Sequence, residues 1–281
     1  MKILHILANS PPDINGYAIR TQMILKHQKS SMNVIGLTSP WYPQRESMID
    51  DYQLDGIDYY RTVHPLHRKE KIPVSHRIIR SHSKQELNKA SQSVNRNKKP
   101  ASNIFVKAIR APGYFARIGW KVVEEKILIK YFTKRIIEVA KQENAEVIHA
   151  HTPYRVGLPA LKAARKLRLP FVYEMRGMWE ETAVANGRWL RNGPAYRRFQ
   201  KFETRVLRKA DAVVCISQTL KQEAISRGVE EAKITVVTNA VESDIAENNT
   251  KGETYEKSVT ILSRGKSTKV IGYIGSLREM E

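Results

Sequence analysis

The stretch that most constrains the fold is residues 145–181, AEVIHAHTPYRVGLPALKAARKLRLPFVYEMRGMWEE. A short apolar run ends in His-Ala-His and is broken by Thr-Pro. Val156, Leu158, Leu161, Ala164 and Leu167 then recur at helical spacing, and Leu169-Pro170 opens a second apolar run. The pattern predicts strand, helix, strand, which is one βαβ unit of a parallel sheet. In such sheets ligands bind where the strands end and the chain turns toward a helix. The polar residues at those positions are His149, His151, Thr152, Glu174, Arg176, Glu180 and Glu181.

The flanking sequence repeats this alternation. Residues 2–8 (KILHILA) predict a buried first strand, followed by a loop, Gly16, and a helix over 17–30 with Ile19, Met23, Ile24 and His27 turned inward. A helix entered through glycine offers free N–H groups and a positive dipole end to a phosphate. Only Gly16 is present, so the G-x-G-x-x-G fingerprint of nicotinamide binding is missing. Further strands are expected at 33–38 and 56–63, a long helix at 117–143, a helix starting at Pro194, a strand at 211–217, a helix over 219–227 closed by Gly228, and a strand at 233–238. The expected fold class is α/β: a Rossmann-like parallel sheet with helices on both faces, plus a basic helical insertion at about 64–117.

At 281 residues and 41% hydrophobic the chain can bury a sizeable core. No apolar run approaches the roughly 20 residues of a membrane-spanning helix, and the N-terminal apolar stretch is too short for a signal peptide; a cytoplasmic chain is expected. The single cysteine, Cys215, falls inside an apolar run and reads as an inert buried thiol. The net charge of +20 is concentrated: residues 61–135 carry nineteen Lys and Arg against four Asp and Glu. Such a segment suits an anionic membrane surface, an anionic acceptor or nucleic acid. Nucleic acid is disfavoured, because aromatic interleaving, helix-turn-helix and zinc spacing are all missing.

Six segments in order, MKILHILANSPPDINGYAIRTQMIL, VIHAHTPYRVGLPAL, PFVYEMRGMWEETAVANG, FETRVLRKADAVVCIS, KITVVTNAVE and VIGYIGSL, resemble the N-terminal domain of a GT-B glycosyltransferase of family 4, nearest the exopolysaccharide-associated subgroup. The resemblance covers most of the chain outside the basic insertion. It implies an acceptor-side domain over 1–240, a linker over 241–268, and the opening of a truncated donor-binding domain at 269–281. It further implies transfer of a sugar from a nucleotide donor to a glycan or lipid-linked acceptor with retention at the anomeric carbon, and no metal or other cofactor. Carried over by position, His151, Arg176 and Glu180 become the catalytic candidates, with Arg176 and Trp179-Glu180 matching the subgroup's Arg-x-x-Trp-Glu pattern. Gly16, Ser217 and Asn239 fall on the donor cleft, and Tyr17, Thr152, Trp179 and Glu181 on the acceptor side. The family's Glu-x7-Glu motif would lie beyond Glu281, and its diphosphate-neutralising Arg and Lys align with Ser276 and Glu281. The chain alone is therefore expected to be inactive, with a second chain as one possible source of the donor domain. A non-catalytic basic module for lipid or nucleic acid, and a regulatory partner of a complete transferase, are the alternative readings.

Overall fold

The computed structural model describes residues 1–13, 15–42, 51–65 and 111–240, with 111–119 as backbone only. Most of the basic insertion, the linker and the strand at its far end lie outside the described residues.

Among the described residues eight strands form one sheet in the order β3-β4-β2-β1-β5-β6-β7-β8. They are β1 (Lys2–Leu7), β2 (Asn33–Thr38), β3 (Tyr52–Leu54), β4 (Ile57–Arg61), β5 (Val147–His151), β6 (Phe171–Met175), β7 (Ala212–Cys215) and β8 (Ile234–Val236). All neighbours pair parallel except β3, which joins β4 antiparallel. The helices are α1 (Gly16–Gln28), α2 (Ala111–Gln142), α3 (Tyr154–Leu167), α4 (Trp179–Ala185), α5 (Pro194–Lys209) and α6 (Gln218–Ser226). This is the expected Rossmann-like α/β arrangement. Among the described residues no helix is long and apolar enough to cross a membrane.

Strand alternation assigns the two faces different tasks. One face carries Leu4, Ile6, Ile148, Ala150, Phe171, Tyr173, Met175, Val213 and Cys215, and packs with Phe132 and Ile136 of α2, Leu158 and Leu161 of α3, and Val206 and Leu207 of α5. Contact there is close: a Cβ on Gly157 of α3 would stand 2.6 Å from the Tyr173 ring and 2.8 Å from Val206. The other face carries Leu7, Val34, Ile57 and Tyr59 against Leu25 of α1. Toward the ends of β1, β5 and β6 this second face turns polar. His5 is in register with His149, and His151 with Glu174.

Three expectations need correcting. The inner face of α1 is Ala18, Thr21 and Leu25, whereas Ile19 is 46% exposed; the 18/21/25 spacing is itself an i, i+3, i+7 stripe, and its small members let the helix lie close over the polar end of the sheet. Helix α2 starts at Ala111, six residues before the expected 117, because Pro112 in its first turn has no N–H to leave unsatisfied. Strand β3 was not foreseen. It forms a hairpin with β4 through Asp55-Gly56, both at positive φ (54° and 67°), the backbone of a type I′ turn.

Candidate active site

The sheet order reverses between β1 and β5, since β1 is followed by β2 on one side while β5 leads to β6 on the other. The crevice at such a switch point, beyond the strand ends, is where open α/β sheets bind ligands. Three strands and one helix place side chains there: His5 from β1, His149 and His151 from β5, Glu174 from β6 with Arg176 just after it, and Tyr17, Arg20 and Thr21 from α1.

Glu174, 1% exposed, is the hub of the cluster. Its Oε1 accepts from Arg20 Nε at 3.0 Å and Nη2 at 2.9 Å. Its Oε2 lies 2.5 Å from His151 Nδ1 and accepts from Arg176 Nη2 at 3.1 Å. Arg176 Nη2, which can only donate, also lies 2.7 Å from Nδ1. Two acceptors would repel at the 2.5 Å separation of Nδ1 and Oε2, so with Glu174 ionised the proton is assigned to Nδ1, and Nη2 is directed to the carboxylate beside it. His151 Nε2 is then an acceptor, and His5 Nδ1 donates to it at 3.0 Å. The result is a fixed chain, Glu174 to His151 to His5, with His149 stacked on His151 at 4.5 Å between ring centroids. The Arg176 guanidinium lies 4.5 Å over the Tyr17 ring and donates through Nη1 to Thr21 Oγ1 at 2.7 Å and to the Tyr17 carbonyl at 3.1 Å. Arg20 reaches the opposite way, donating to Asn239 Oδ1 at 2.6 Å and to the carbonyls of Val237 (3.1 Å) and Thr238 (3.3 Å).

Burial sets the protonation states. It lowers His149 and His151 to about 3, with the nearby charge of Arg176 acting in the same direction, and it takes His5 well below its ordinary value. Burial alone would raise Glu174, but the adjacent His151 and Arg176 hold it far below the usual carboxylate range. At neutral pH the cluster therefore contains three neutral imidazoles, one carboxylate and two guanidinium groups. One net positive charge remains at the rim, fixed in a low-dielectric site where it acts strongly on an anion.

His151, Arg176, Tyr17, Thr152 and Asn239 thus meet in one network, Thr152 through its Oγ1, which accepts from the Arg176 N–H at 3.4 Å. Gly16 starts the helix that bears Tyr17 and Thr21; it is exposed, and nothing lies within 4 Å of a Cβ built on it. The remaining candidates are placed elsewhere. Glu180 is 0% exposed and accepts from Arg227 Nη2 at 2.6 Å. Glu181 is bound by Arg191 (2.7 Å) and the Tyr196 hydroxyl (2.5 Å). Ser217 caps α6, its hydroxyl accepting from Leu220 N–H. Trp179 is exposed on the first turn of α4. Sequence reasoning missed Arg20 and His5 and gave Glu174 no role. The signal for His5 was its place in the first strand, readable only once β1 is paired with β5; Arg20 had none.

His5, His149 and His151 bring their nitrogens within 4.8 Å of one another. Metal binding needs lone pairs that converge in the ring planes, but His151 is near-parallel to both neighbours, at 22° and 21°, and the His5–His151 contact already uses one lone pair in a hydrogen bond. The trio is built as a hydrogen-bonded stack.

Residues 103–245 match the family described as Glycosyltransferase Family 4. No curated protein matches the chain. Similar solved structures include a UDP-GlcNAc 2-epimerase from Neisseria meningitidis bound to UDP-GlcNAc (11% identity, 92% of this chain and 52% of that one, TM-score 0.48). They also include a glycosyltransferase from Rickettsia africae (14%, 95% and 50%, TM-score 0.46) and Anabaena HepE in complex with UDP (13%, 89% and 50%, TM-score 0.43). The chain spans about half the length of each. Because the family match takes in half of the sequence, all of α2 and on through β5, β6, β7 and β8, the chain belongs to glycosyltransferase family 4.

Proposed function

We propose that this chain supplies the acceptor-side jaw of a retaining glycosyltransferase of the exopolysaccharide-associated branch. In this reading residues 1–240 hold a glycan or lipid-linked acceptor, 241–268 link, and 269–281 open a donor-binding domain that holds most of the nucleotide sugar. The observation that carries the reading is the pair of guanidinium groups, Arg20 and Arg176, held over one carboxylate at the switch-point rim. When a sugar leaves its nucleotide the diphosphate gains negative charge, and fixed cations that need no reorganisation stabilise it. No metal is then required for that task.

Arg176 is the residue of this cluster proposed to meet the reacting groups. His151 is fully buried with both nitrogens engaged, so it acts through Arg176, and Glu174 orients both. Gly16 and Asn239, both exposed, face the donor, with Ser217 behind them. Tyr17, Thr152, Trp179 and Glu181 lie on the acceptor side, and Glu180 holds the start of α4 through Arg227. The basic segment 61–135 places the protein on the inner face of an anionic membrane.

The test is sugar transfer from a panel of nucleotide sugars to a polyprenyl-diphosphate-linked sugar, with this chain mixed with a separately expressed donor-binding domain. Turnover that needs both parts, retains anomeric configuration and falls about 100-fold in Arg176→Ala is expected. Inversion of configuration, or full turnover by Arg176→Ala, overturns the assignment.

A further inference from the structure

Helix α2 is amphipathic twice over. Its inner face buries Leu128, Ile129, Phe132, Ile136 and Val139. Its outer face carries Trp120, Val123, Ile127 and Tyr131, spaced three, four and four residues apart and 58%, 46%, 43% and 38% exposed. That spacing makes one continuous stripe. Lys126, Lys130 and Lys134 run alongside it at four-residue intervals, all exposed. Glu124 lies 3.7 Å from His64, and Glu138 lies 4.0 Å from Arg135 and 3.9 Å from Lys134, the last an exposed pair that holds the lysine only weakly.

The position of the stripe matters as much as its composition. Glu125 accepts from the Tyr154 hydroxyl at 2.7 Å, and Tyr154 opens α3 just beyond the end of β5. Glu125 therefore marks the height of the rim, and the part of α2 before it, from Ala111, rises about 20 Å past that level at 1.5 Å per residue. Trp120 and Val123 lie in that part of the helix, before Glu125.

We infer that the outer seam of α2 seats in the headgroup layer of an anionic phospholipid bilayer. Trp and Tyr favour that layer, aliphatic side chains between them enter the acyl boundary, and lysine stems lie along apolar surface while their ammonium groups meet lipid phosphate. A second copy of the chain is the poorer occupant, since a symmetric pair would bring two lysine rows together. The inference deepens the membrane part of the proposed function, which rested on net charge alone, by naming the face that touches lipid.

Flotation of the 281-residue chain with vesicles of phosphatidylcholine, alone or mixed with phosphatidylglycerol, tests it without any activity readout. Binding is expected only to the anionic vesicles. Each Lys→Gln change at 126, 130 or 134 should weaken it about fivefold. Trp120→Glu combined with Ile127→Glu should weaken it at least about tenfold while leaving the urea midpoint unchanged. Brominated acyl chains should quench tryptophan fluorescence, and Trp120→Phe should remove most of that quenching although Trp41, Trp179 and Trp189 remain. Anionic-vesicle binding that survives the double substitution, with no quenching, overturns the inference and leaves membrane attachment to the rest of the basic segment. A lipid-independent dimer dissolved by Ile127→Glu would overturn it in favour of a contact between copies. Failure to bind either vesicle overturns both membrane readings.

Discussion

Glu174 is one buried carboxylate compensating two guanidinium groups and orienting a histidine. Removing its charge leaves Arg20 and Arg176 buried against each other, a situation that costs about 3–5 kcal/mol when a buried ion pair loses one partner. Glu174→Gln should therefore lower urea-measured stability by about that amount, and a loss below about 1 kcal/mol would mean the two arginines relax outward. The histidines have a pH signature. His149 and His151 titrate near 3 when folded and near 6.5 when free, so below pH 6.5 the unfolded chain takes up protons that the folded one refuses. Stability should fall as pH drops from 6.5 toward 3, and the depressed Glu174 adds to the fall below its free value of 4.5. His149 is the one to remove cleanly, because its Nε2 has no hydrogen-bond partner among the described residues, its ring stacks on His151, and Glu174 Oε2 comes no nearer to that nitrogen than 3.9 Å. His149→Phe should keep the fold at neutral pH and reduce the acid slope by about 1.4 kcal/mol per pH unit, one proton's worth. An unchanged slope would assign the acid loss to other groups.

At the scale of elements, α3 starts without a side-chain cap, since Pro153 precedes it. The missing acceptor comes from another helix: Glu203 of α5 accepts from Tyr154 N–H at 2.7 Å and meets the Tyr173 hydroxyl at 2.5 Å. Burial pushes Glu203 up to about 7, against the two hydrogen bonds that favour its ionised form. An acid whose folded value is raised contributes stability at low pH that is lost as pH rises from its free value, 4.5, through 7. Glu203→Gln should therefore flatten the decline in urea midpoint between pH 5 and 8, whereas Glu203→Ala should cost about 2 kcal/mol by uncapping α3 and orphaning the tyrosine. This cap was invisible in the sequence, because Tyr154 and Glu203 meet only across two helices. The βαβ unit at 145–181 was legible for the opposite reason: Val156, Leu158, Leu161 and Ala164 are all buried as their spacing requires. Strand β3 was missed because three residues are too few to show alternation, although Asp55-Gly56 carried the turn signal. In the site, His151 and Arg176 were legible from the ends of their strands. Arg20 was not, since a helix position next to exposed Ile19 says nothing of what lies across the crevice.

On the scale of the whole molecule, the polar cluster and the exit of the chain from the sheet are one construction. Arg20 binds Glu174 with Nε and Nη2, and with Nη1 and Nη2 it takes the carbonyls of Val237 and Thr238 and the side chain of Asn239. Residues 237–239 follow β8, the last described strand, at the sheet edge, and among the described residues Val237 N–H donates to the Cys215 carbonyl at 2.9 Å. A guanidinium donates five hydrogens in a rigid plane, so moving the segment after β8 moves Arg20, and moving Arg20 disturbs the carboxylate that orients His151 and Arg176. The path into the following residues is thus mechanically linked to the rim. Arg20→Ala should release that link. Amide exchange at 237–240 should rise at least about tenfold, with protection in β1 and β5 retained, and global stability should drop by about 2 kcal/mol for the lost charged hydrogen bonds. Arg20→Lys keeps the charge but not the fork, so it should restore stability in part and leave exchange at 237–240 fast. Equal protection of 237–240 in Arg20→Ala and the unsubstituted chain would show that the β8 exit is held by its own backbone, and that the arginine serves Glu174 alone.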